Sequence, residues 1–263
     1  PVEIFREYAA LSGIAGQFGR DFDISGLAGL DAAAYDTLAP TRWPVIADRS
    51  GGRFFADGNF YHGDKKARLL PLRHRPPAAR TGPKYPFRLN TGRLRDQWHT
   101  MSRTGLSPRL ARHREEPLVE IHPADAAALG IVDRDLARVQ TAQGNSIFRA
   151  SLSEEQRPGE IFTPIHWTDQ MSSGGRTGLL PRPLVDPHSG QPGFKSTPAS
   201  VERVAAEWKG FLILRGQDAV KLPCLWATKI SVPGGALYEL AGNGDPTRLD
   251  AFLPKGDRVE AMD

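Results

Sequence analysis

Residues 89–105 have the sequence LNTGRLRDQWHTMSRTG, in which a short apolar stretch runs directly into polar and aromatic side chains. Phe87–Asn90 predicts a strand that ends at Thr91-Gly92-Arg93, and glycine at such a point lets a ligand approach the backbone closely. The guanidinium, indole, imidazole and hydroxyl groups that follow suit phosphate oxygens and flat heterocycles. Together they predict a nucleotide- or phosphate-binding loop, although each residue alone is also typical of an ordinary core or surface position.

The same loop lies in a strongly basic region. Between Arg73 and Arg114 there are eleven Arg or Lys residues and one acid, Asp96, which gives +10. The whole chain of 263 residues carries +4, so the rest of it carries −6. A confined basic region in an otherwise acidic chain is typical of a surface that faces a polyanion. A solvated linker face is the alternative, above all for Arg73–Arg88, where the charges lie among prolines.

The single cysteine, Cys224, excludes several kinds of site within this chain. An internal disulfide, a zinc ribbon and an all-cysteine iron–sulfur cluster each need more than one. The seven histidines are dispersed without the spacing of metal ligands, and the sequence contains no GxSxG or GxxxxGK[ST] motif. These motifs therefore indicate no self-sufficient catalytic site, and Cys224 is most typical of a small buried hydrophobic residue.

The hydrophobic pattern predicts a mainly β chain with short helices. An apolar stripe predicts an amphipathic helix over Val2–Ser12. The strand signals after residue 85 are Leu118–Ile121, Leu136–Thr141, Ser146–Ser151 and Ile161–Trp167, with a helix opening at His122-Pro123. Strands, a short helix and a hairpin in about 80 residues favour a compact β-barrel. The long segment that follows, up to Pro198, is a candidate functional loop.

These patterns divide the chain into four parts. Residues 1–72 are expected to form short helices and irregular structure, and residues 73–85 a basic, proline-rich linker. Residues 86–205 are expected to form the barrel, and residues 206–263 a C-terminal extension.

Four sequence blocks carry a family resemblance. They are LNTGRLRDQWHTMSRTG, EIHPADAAALGI, RPGEIFTPIHW and DPHSGQPGFKSTP, in this order over about residues 86–204. The blocks resemble the C-terminal part of the molybdopterin oxidoreductases, and are most similar to the large catalytic subunit of assimilatory nitrate reductases. The resemblance implies a molybdopterin dinucleotide-binding domain with a six-stranded double-psi β-barrel. Residues 54–72 and 208–253 resemble the segments that precede and follow that domain in the same subfamily.

The resemblance also implies the residues that contact the cofactor, which is bis-molybdopterin guanine dinucleotide with molybdenum. The first implied patch is Thr91, Gly92, Arg93, Trp98, His99, Thr100, Arg103 and Thr104. The second implied patch follows the RPGE strand and consists of His166, Trp167 and Lys195. Two positions depart from the family pattern, since Gly178 stands where an asparagine is usual and Gly193 where a glutamate is expected.

No catalytic residue and no metal ligand is expected in this chain. In the family, the cysteines that hold the iron–sulfur cluster and the molybdenum lie in earlier domains of the same polypeptide. Those upstream domains and the dinucleotide are therefore the expected partners. The redox chemistry would belong to molybdenum, and this part would bind and orient the cofactor.

Three hypotheses remain open at this point. The first is the cofactor-binding domain of a nitrate reductase, and the second is the same domain in an enzyme that acts on formate or on another oxyanion. The third is a basic nucleic-acid-binding module, against which the sparse aromatic residues of the basic region count. We expect no nucleic-acid partner and no membrane, because no apolar run approaches the roughly 20 residues that cross a bilayer. A cytoplasmic location is expected from the assimilatory resemblance and from the lack of a signal-like start.

Overall fold

The computed structural model describes residues 1–215 and 222–253. The chain forms two compact units, residues 1–74 and residues 75–263. Of the predicted C-terminal extension, residues 216–221 and 254–263 lie outside the described residues. Within the described ranges, no helix is both long enough and apolar enough to cross a membrane.

The first unit contains two helices and a short two-stranded sheet. These are α1 (Val2–Gly16), α2 (Ala32–Asp36), β1 (Val45–Ile46) and β2 (Arg49–Ser50). The predicted N-terminal helix is confirmed, but its apolar stripe faces outward. Ile4, Tyr8 and Leu11 are each more than half exposed, whereas Ala9 and Ser12 are buried. The hydroxyl of Ser12 accepts a hydrogen bond from the backbone N–H of Ile24 at 2.8 Å, which ties the helix to the following segment.

The second unit consists mainly of strands. Its strands are β3 (Phe87–Gly92), β4 (Leu118–Ile121), β5 (Leu136–Gln140), β6 (Asn145–Leu152), β7 (Glu160–Pro164), β8 (Ser172–Ser173), β9 (Thr197–Val204), β10 (Trp208–Arg215), β11 (Trp226–Val232) and β12 (Gly235–Gly242), and its short helices are α3 (Pro108–Ala111) and α4 (Pro123–Ala128).

Six of these strands form a closed barrel in the order β3-β7-β4-β6-β5-β9, so the predicted six-stranded barrel is confirmed. The β3–β7 and β4–β6 pairs are parallel, and the remaining pairs of the barrel are antiparallel. Inward-facing residues alternate along the strands, as a barrel requires. Leu89, Val119, Phe148 and Ile161 fill the interior and are fully buried.

Local sequence signals account for several of these elements. The predicted hairpin is confirmed, because β5 and β6 pair antiparallel from Leu136↔Arg149 to Gln140↔Asn145. The predicted helix also opens where expected, since the Nδ1 of His122 accepts a hydrogen bond from the backbone N–H of Ala124 at 3.1 Å. Such a cap satisfies one of the free N–H groups at the start of a helix.

One strand prediction needs correction. The strand predicted over Ile161–Trp167 runs instead from Glu160 to Pro164, and the chain then turns inward, so that His166 and Trp167 are buried beyond the strand end. The segment 199–210 lies in β9 and the start of β10.

The other strands form a four-stranded sheet in the order β10-β12-β11-β8. Its junction with the barrel is built around Arg149, whose guanidinium lies 4.7 Å from the ring centroid of Trp226. The same guanidinium binds Glu116 at 2.6 Å and Glu239 at 2.9 Å. The indole N–H of Trp226 donates to the carbonyl of Ile147 at 3.2 Å, which adds a second link between sheet and barrel.

Candidate functional site

The parallel pairing of β3 with β7 brings the two predicted patches together. Thr91 lies opposite Thr163, Gly92 lies opposite Pro164, and the backbone N–H of Ile165 donates to the carbonyl of Gly92 at 3.0 Å. Because the two strands run in the same direction, the loops that follow them leave from the same end of the barrel. This end, formed by residues 91–104, 164–171 and 194–196, is called the binding edge below.

Lys195 closes the binding edge from a third segment. Its Nζ donates a hydrogen bond to the backbone carbonyl of Thr91, and the Thr91 hydroxyl donates to the carbonyl of Phe194 at 3.0 Å. Thr91 is buried, whereas Lys195 is exposed. The hydroxyl of Thr91 is therefore occupied in holding the edge together, while the ammonium group of Lys195 remains open to solvent.

Gly92 is required at the binding edge by close packing. A Cβ built on Gly92 would lie 2.8 Å from Cε2 of Phe162 and 3.9 Å from Nζ of Lys195. The first distance is shorter than real Cβ contacts allow, so a larger residue would displace the Phe162 ring. The glycine thus lets the backbone pass closely over β7, and the close approach of a ligand at this point stays a prediction.

His166 is fully buried, and both of its ring nitrogens are used by the first patch. Its Nε2 accepts a hydrogen bond from the backbone N–H of Leu94 at 2.7 Å. Its Nδ1 lies 2.6 Å from the carbonyl oxygen of His99, to which it donates. Burial is the main cause that lowers the pKa of His166, with a smaller contribution from the nearby charge of Arg93. The imidazole is therefore neutral at physiological pH.

Trp167 lies beneath the binding edge. Only 3% of its surface is exposed, and it packs in a small cluster with Met101, Met171 and Leu94. This cluster supports the loop from below. Trp167 thus lies next to the other predicted residues without an open face of its own.

Trp98 and His99 form the outer part of the loop. Trp98 is 61% exposed, the guanidinium of Arg93 lies 5.3 Å from its ring centroid, and the His99 ring meets it edge-on at 4.4 Å. The backbone of His99 and of Met101 has positive φ, 42° and 59°. Non-glycine residues adopt such angles rarely, and they concentrate at functional sites.

Gln97 is a residue of the loop that the sequence analysis missed. It is buried, its side-chain carbonyl accepts a hydrogen bond from the Thr104 hydroxyl at 2.8 Å, and its amide donates to the carbonyl of Leu110 at 3.3 Å. The Thr104 hydroxyl in turn accepts from the backbone N–H of Trp98 at 3.3 Å. Gln97 and Thr104 thus fix the loop from inside, whereas Thr100 and Arg103 are exposed. In the sequence, the only signal for Gln97 is its uncharged polar side chain among charged residues.

The binding edge carries cations without acidic partners. Within the described residues Arg93, Arg103 and Lys195 form no ion pair, and all three are exposed. The neighbouring Asp96 is already paired with Arg95 at 2.9 Å and with His113 at 3.0 Å. Its hydrogen bond from Arg95 is the main cause that lowers the pKa of Asp96. The same edge also exposes the hydroxyl of Thr100 and the indole of Trp98. Such a combination with three cations suits an anionic ligand that contains flat rings.

The two departures from the family pattern lie where a side chain has room. A Cβ at Gly178 would meet only the Cγ of Arg176, at 3.9 Å, and one at Gly193 would lie 3.5 Å from the carbonyl oxygen of Leu184. The neighbouring Thr177 is buried, and its hydroxyl donates to the carbonyl of Pro164 at 2.7 Å. Neither glycine is therefore required by the packing around it.

Cys224 lies away from this edge, partly buried against the core of the four-stranded sheet. Burial raises the pKa of its thiol to about 11. Such a thiol is almost fully protonated at neutral pH and is a poor nucleophile. Among the described residues, no group of three or more His, Cys, Asp or Glu side chains is placed to hold a metal ion.

Residues 87–198 match the protein family described as "Molydopterin dinucleotide binding domain". The match begins at β3 and ends at the start of β9, so it covers the first five strands of the barrel and all three segments of the binding edge. These residues are a molybdopterin dinucleotide-binding domain. The resemblance that the four sequence blocks indicate is thereby confirmed.

Curated relatives extend the similarity beyond the molybdopterin dinucleotide-binding domain. A nitrate reductase of Klebsiella oxytoca is 43% identical over 223 residues, which are 85% of this chain and 25% of the relative. The catalytic subunit of an assimilatory nitrate reductase of Bacillus subtilis is 34% identical over 67% of this chain and 25% of the relative. An F420-dependent formate dehydrogenase subunit alpha of Methanocaldococcus jannaschii is 27% identical over 62% of this chain and 24% of the relative. The chain thus spans about a quarter of the length of these relatives.

The residues present at the binding edge fit a molybdopterin dinucleotide. The pyrophosphate of such a group needs cations and N–H donors, which Arg93, Arg103 and Lys195 supply without competing carboxylates. The exposed indole of Trp98 offers a flat surface to a ring system. By contrast, the buried His166 and Trp167 fit the role of supports beneath these groups.

Proposed function

We propose that this chain is the cofactor-binding C-terminal part of a molybdenum oxidoreductase, namely a nitrate reductase that converts nitrate to nitrite. The observation that carries the proposal is a set of three cations on the edge where two parallel strands end. They are Arg93, Arg103 and Lys195, and none of them forms an ion pair with any residue that the structure describes. The 43% identity to a nitrate reductase over most of the chain supports this substrate.

The residues of the binding edge would bind and orient bis-molybdopterin guanine dinucleotide, which supplies the molybdenum redox chemistry when it is bound. Arg93, Arg103 and Lys195 would donate to phosphate oxygens, and Thr100 would donate through its hydroxyl. Trp98, already in contact with Arg93, would cover a flat ring. Gln97 and Thr104 would keep the loop in shape. This chain would contribute no group to the reaction at the metal.

The remainder of the enzyme would lie upstream in the same polypeptide. The relatives are about four times as long as the matched segment, which leaves room for domains that bind an iron–sulfur cluster and the molybdenum. Those domains would be the main partners of the binding edge. We also propose a cytoplasmic location, which the similarity to an assimilatory subunit supports.

The same domain in a formate dehydrogenase is the second candidate function. The 27% identity to a formate dehydrogenase subunit favours it, although the identity and coverage are lower than for the nitrate reductases. The binding edge would perform the same task in either enzyme, since it holds the cofactor and not the substrate. Assays of the full-length protein with nitrate and with formate separate the two.

The test of the binding edge uses Arg93→Ala and Arg103→Ala in the full-length protein. Each should retain about tenfold less molybdopterin after purification, because a charge-assisted hydrogen bond to phosphate is lost. Arg157→Ala is the matched control, since Arg157 is exposed and precedes β7 at the opposite end of the barrel. Equal retention in all three variants would contradict the proposal. Tight, salt-sensitive binding of nucleic acid by the purified protein would favour a nucleic-acid-binding module instead.

A further inference from the structure

The contacts of His166 indicate a task that differs from contact with a ligand. We propose that His166 is a positioning residue, which holds the segment 94–99 in its ligand-binding shape while its ring is neutral and releases that segment when the ring is protonated. This inference rests on the proposed function, because the segment it holds is the loop of the binding edge.

The hydrogen bonds of His166 fix its tautomer. The backbone N–H of Leu94 can only donate, so the Nε2 that lies 2.7 Å away must accept and carries no proton. The carbonyl of His99 can only accept, so the Nδ1 at 2.6 Å must carry the proton and donate. One neutral tautomer satisfies both contacts. The ring therefore bridges the two ends of a six-residue segment whose last residue has a positive φ of 42°.

Burial makes this bridge costly to break and leaves no nitrogen for a ligand. His166 has no exposed surface, and both of its ring nitrogens are engaged with backbone. A buried N–H left without an acceptor costs more than a typical hydrogen bond contributes. His166 thus acts through the position of Arg93, Trp98 and His99, which lie at the surface of the same loop.

Protonation of His166 would break the bridge at one end. A proton on Nε2 would place two N–H donors face to face, so the bond from Leu94 would be lost. The charges that act on the ring are those of Arg93 and His99, and both disfavour the imidazolium. Asp169, which follows His166 by three residues, is exposed and paired with Arg176. Arg114, Glu115 and Lys229 line the small cavity next to Trp167.

The sign of the pH effect follows from the lowered pKa of His166. With the chain unfolded or the segment 94–99 released, the His166 ring would take up a proton near the ordinary imidazole pKa of about 6.5. In the folded arrangement its lowered pKa makes it resist protonation. The bridge is therefore at full strength above pH 6.5 and weakens as the pH falls below that value.

The test uses amide hydrogen exchange of Leu94 in the full-length protein and two variants that each keep half of the bridge. The variant His166→Asn retains a donor near the carbonyl of His99. The variant His166→Gln retains an acceptor near the N–H of Leu94. After correction for the intrinsic exchange rate, the protection of Leu94 should fall about tenfold between pH 7.5 and pH 5 in the wild type. His166→Gln should keep its protection at both pH values, because its amide does not titrate. His166→Asn should lack that protection at both.

Two results from the wild type alone would overturn the proposal, even if a variant failed to fold. The first is equal protection of Leu94 at both pH values. The second is a nitrogen NMR spectrum in which Nε2 of His166 carries the proton at pH 7.5. The proposed function is judged separately by cofactor retention in Arg93→Ala. If retention does not depend on Arg93 while Leu94 is protected as expected, the proposed function fails and the role of His166 in the loop stands.

Discussion

The ammonium group of Lys195 binds the backbone carbonyl of Thr91, a residue 104 positions earlier in the chain. This contact joins the end of the long loop after β8 to the end of β3, and it places the exposed Lys195 next to Gly92, the residue before Arg93. The Thr91 hydroxyl, which donates to the carbonyl of Phe194, reinforces the same junction. Lys195 thus has a structural contact and a free charge at the binding edge.

The double role of Lys195 leads to the first prediction. Lys195→Met should destabilise the protein by about 1 kcal/mol, because a partly buried hydrogen bond to the backbone carbonyl of Thr91 is lost. Retained molybdopterin should fall by about tenfold, because a cation that faces the phosphates is removed. Thermal denaturation and cofactor content of the full-length protein measure the two effects.

Lys66→Met provides the matched control for Lys195→Met. Lys66 is also exposed, but it belongs to residues 1–74 and not to the barrel. Equal cofactor retention in the two variants would remove Lys195 from the anion-binding edge.

The contact between Gly92 and Phe162 leads to a second prediction. Gly92→Ala should destabilise the protein by about 1–3 kcal/mol, because its Cβ would lie 2.8 Å from the Phe162 ring. It should also lower cofactor retention, since Gly92 is itself part of the binding edge. Thermal denaturation of the full-length protein gives the first quantity and its molybdopterin content the second.

A second-site change separates crowding from other effects of the alanine. Gly92→Ala combined with Phe162→Leu should recover part of the lost stability, because the smaller side chain makes room. Gly178→Ala is the control, since its Cβ would have 3.9 Å to the nearest atom. A loss in Gly178→Ala as large as that in Gly92→Ala would show that the close approach to Phe162 is not the cause.

The sequence predicted those parts of the binding edge that depend on local signals. Thr91-Gly92 at a strand end, the hairpin around residues 141–144 and the helix start at His122 each follow from adjacent residues, and the structure has all three. The pairing of β3 with β7 could not be derived in this way, because the partners are about 70 residues apart and pairing between distant strands leaves no local pattern.

The same limit explains why the roles of individual residues differ from those that the sequence indicated. An imidazole and an indole beside a predicted binding loop suggest ligand contact, but His166 and Trp167 are buried and face the loop itself. Whether a polar ring is buried depends on tertiary packing, which cannot be predicted from the β-propensity of the surrounding residues. The family resemblance predicted residues that the structure brings together at one edge, whereas their division into exposed and buried side chains required the structure.

The third prediction concerns Arg149, which joins the barrel to the four-stranded sheet. Arg149→Met should destabilise the protein by about 3 kcal/mol, because it leaves the partly buried Glu239 without its partner while the buried Glu116 keeps only Arg134. Arg138→Met is the control, since its ion pair with Glu202 is largely exposed and should contribute about 1 kcal/mol or less. Urea denaturation at a fixed pH compares the two variants.

The pH dependence of Arg149→Met tests the cause of the loss. Burial, and after it the charge of Glu116, raises the pKa of Glu239 in the folded protein. A carboxyl with a raised pKa binds its proton more tightly when folded, so its unfavourable effect on stability is absent at low pH and grows as the pH rises through that pKa. Removal of Arg149 takes away the charge that opposes this shift. The deficit of Arg149→Met should therefore be smaller at pH 5 than at pH 8, and an equal deficit at both values would place the loss in the packing against Trp226 instead.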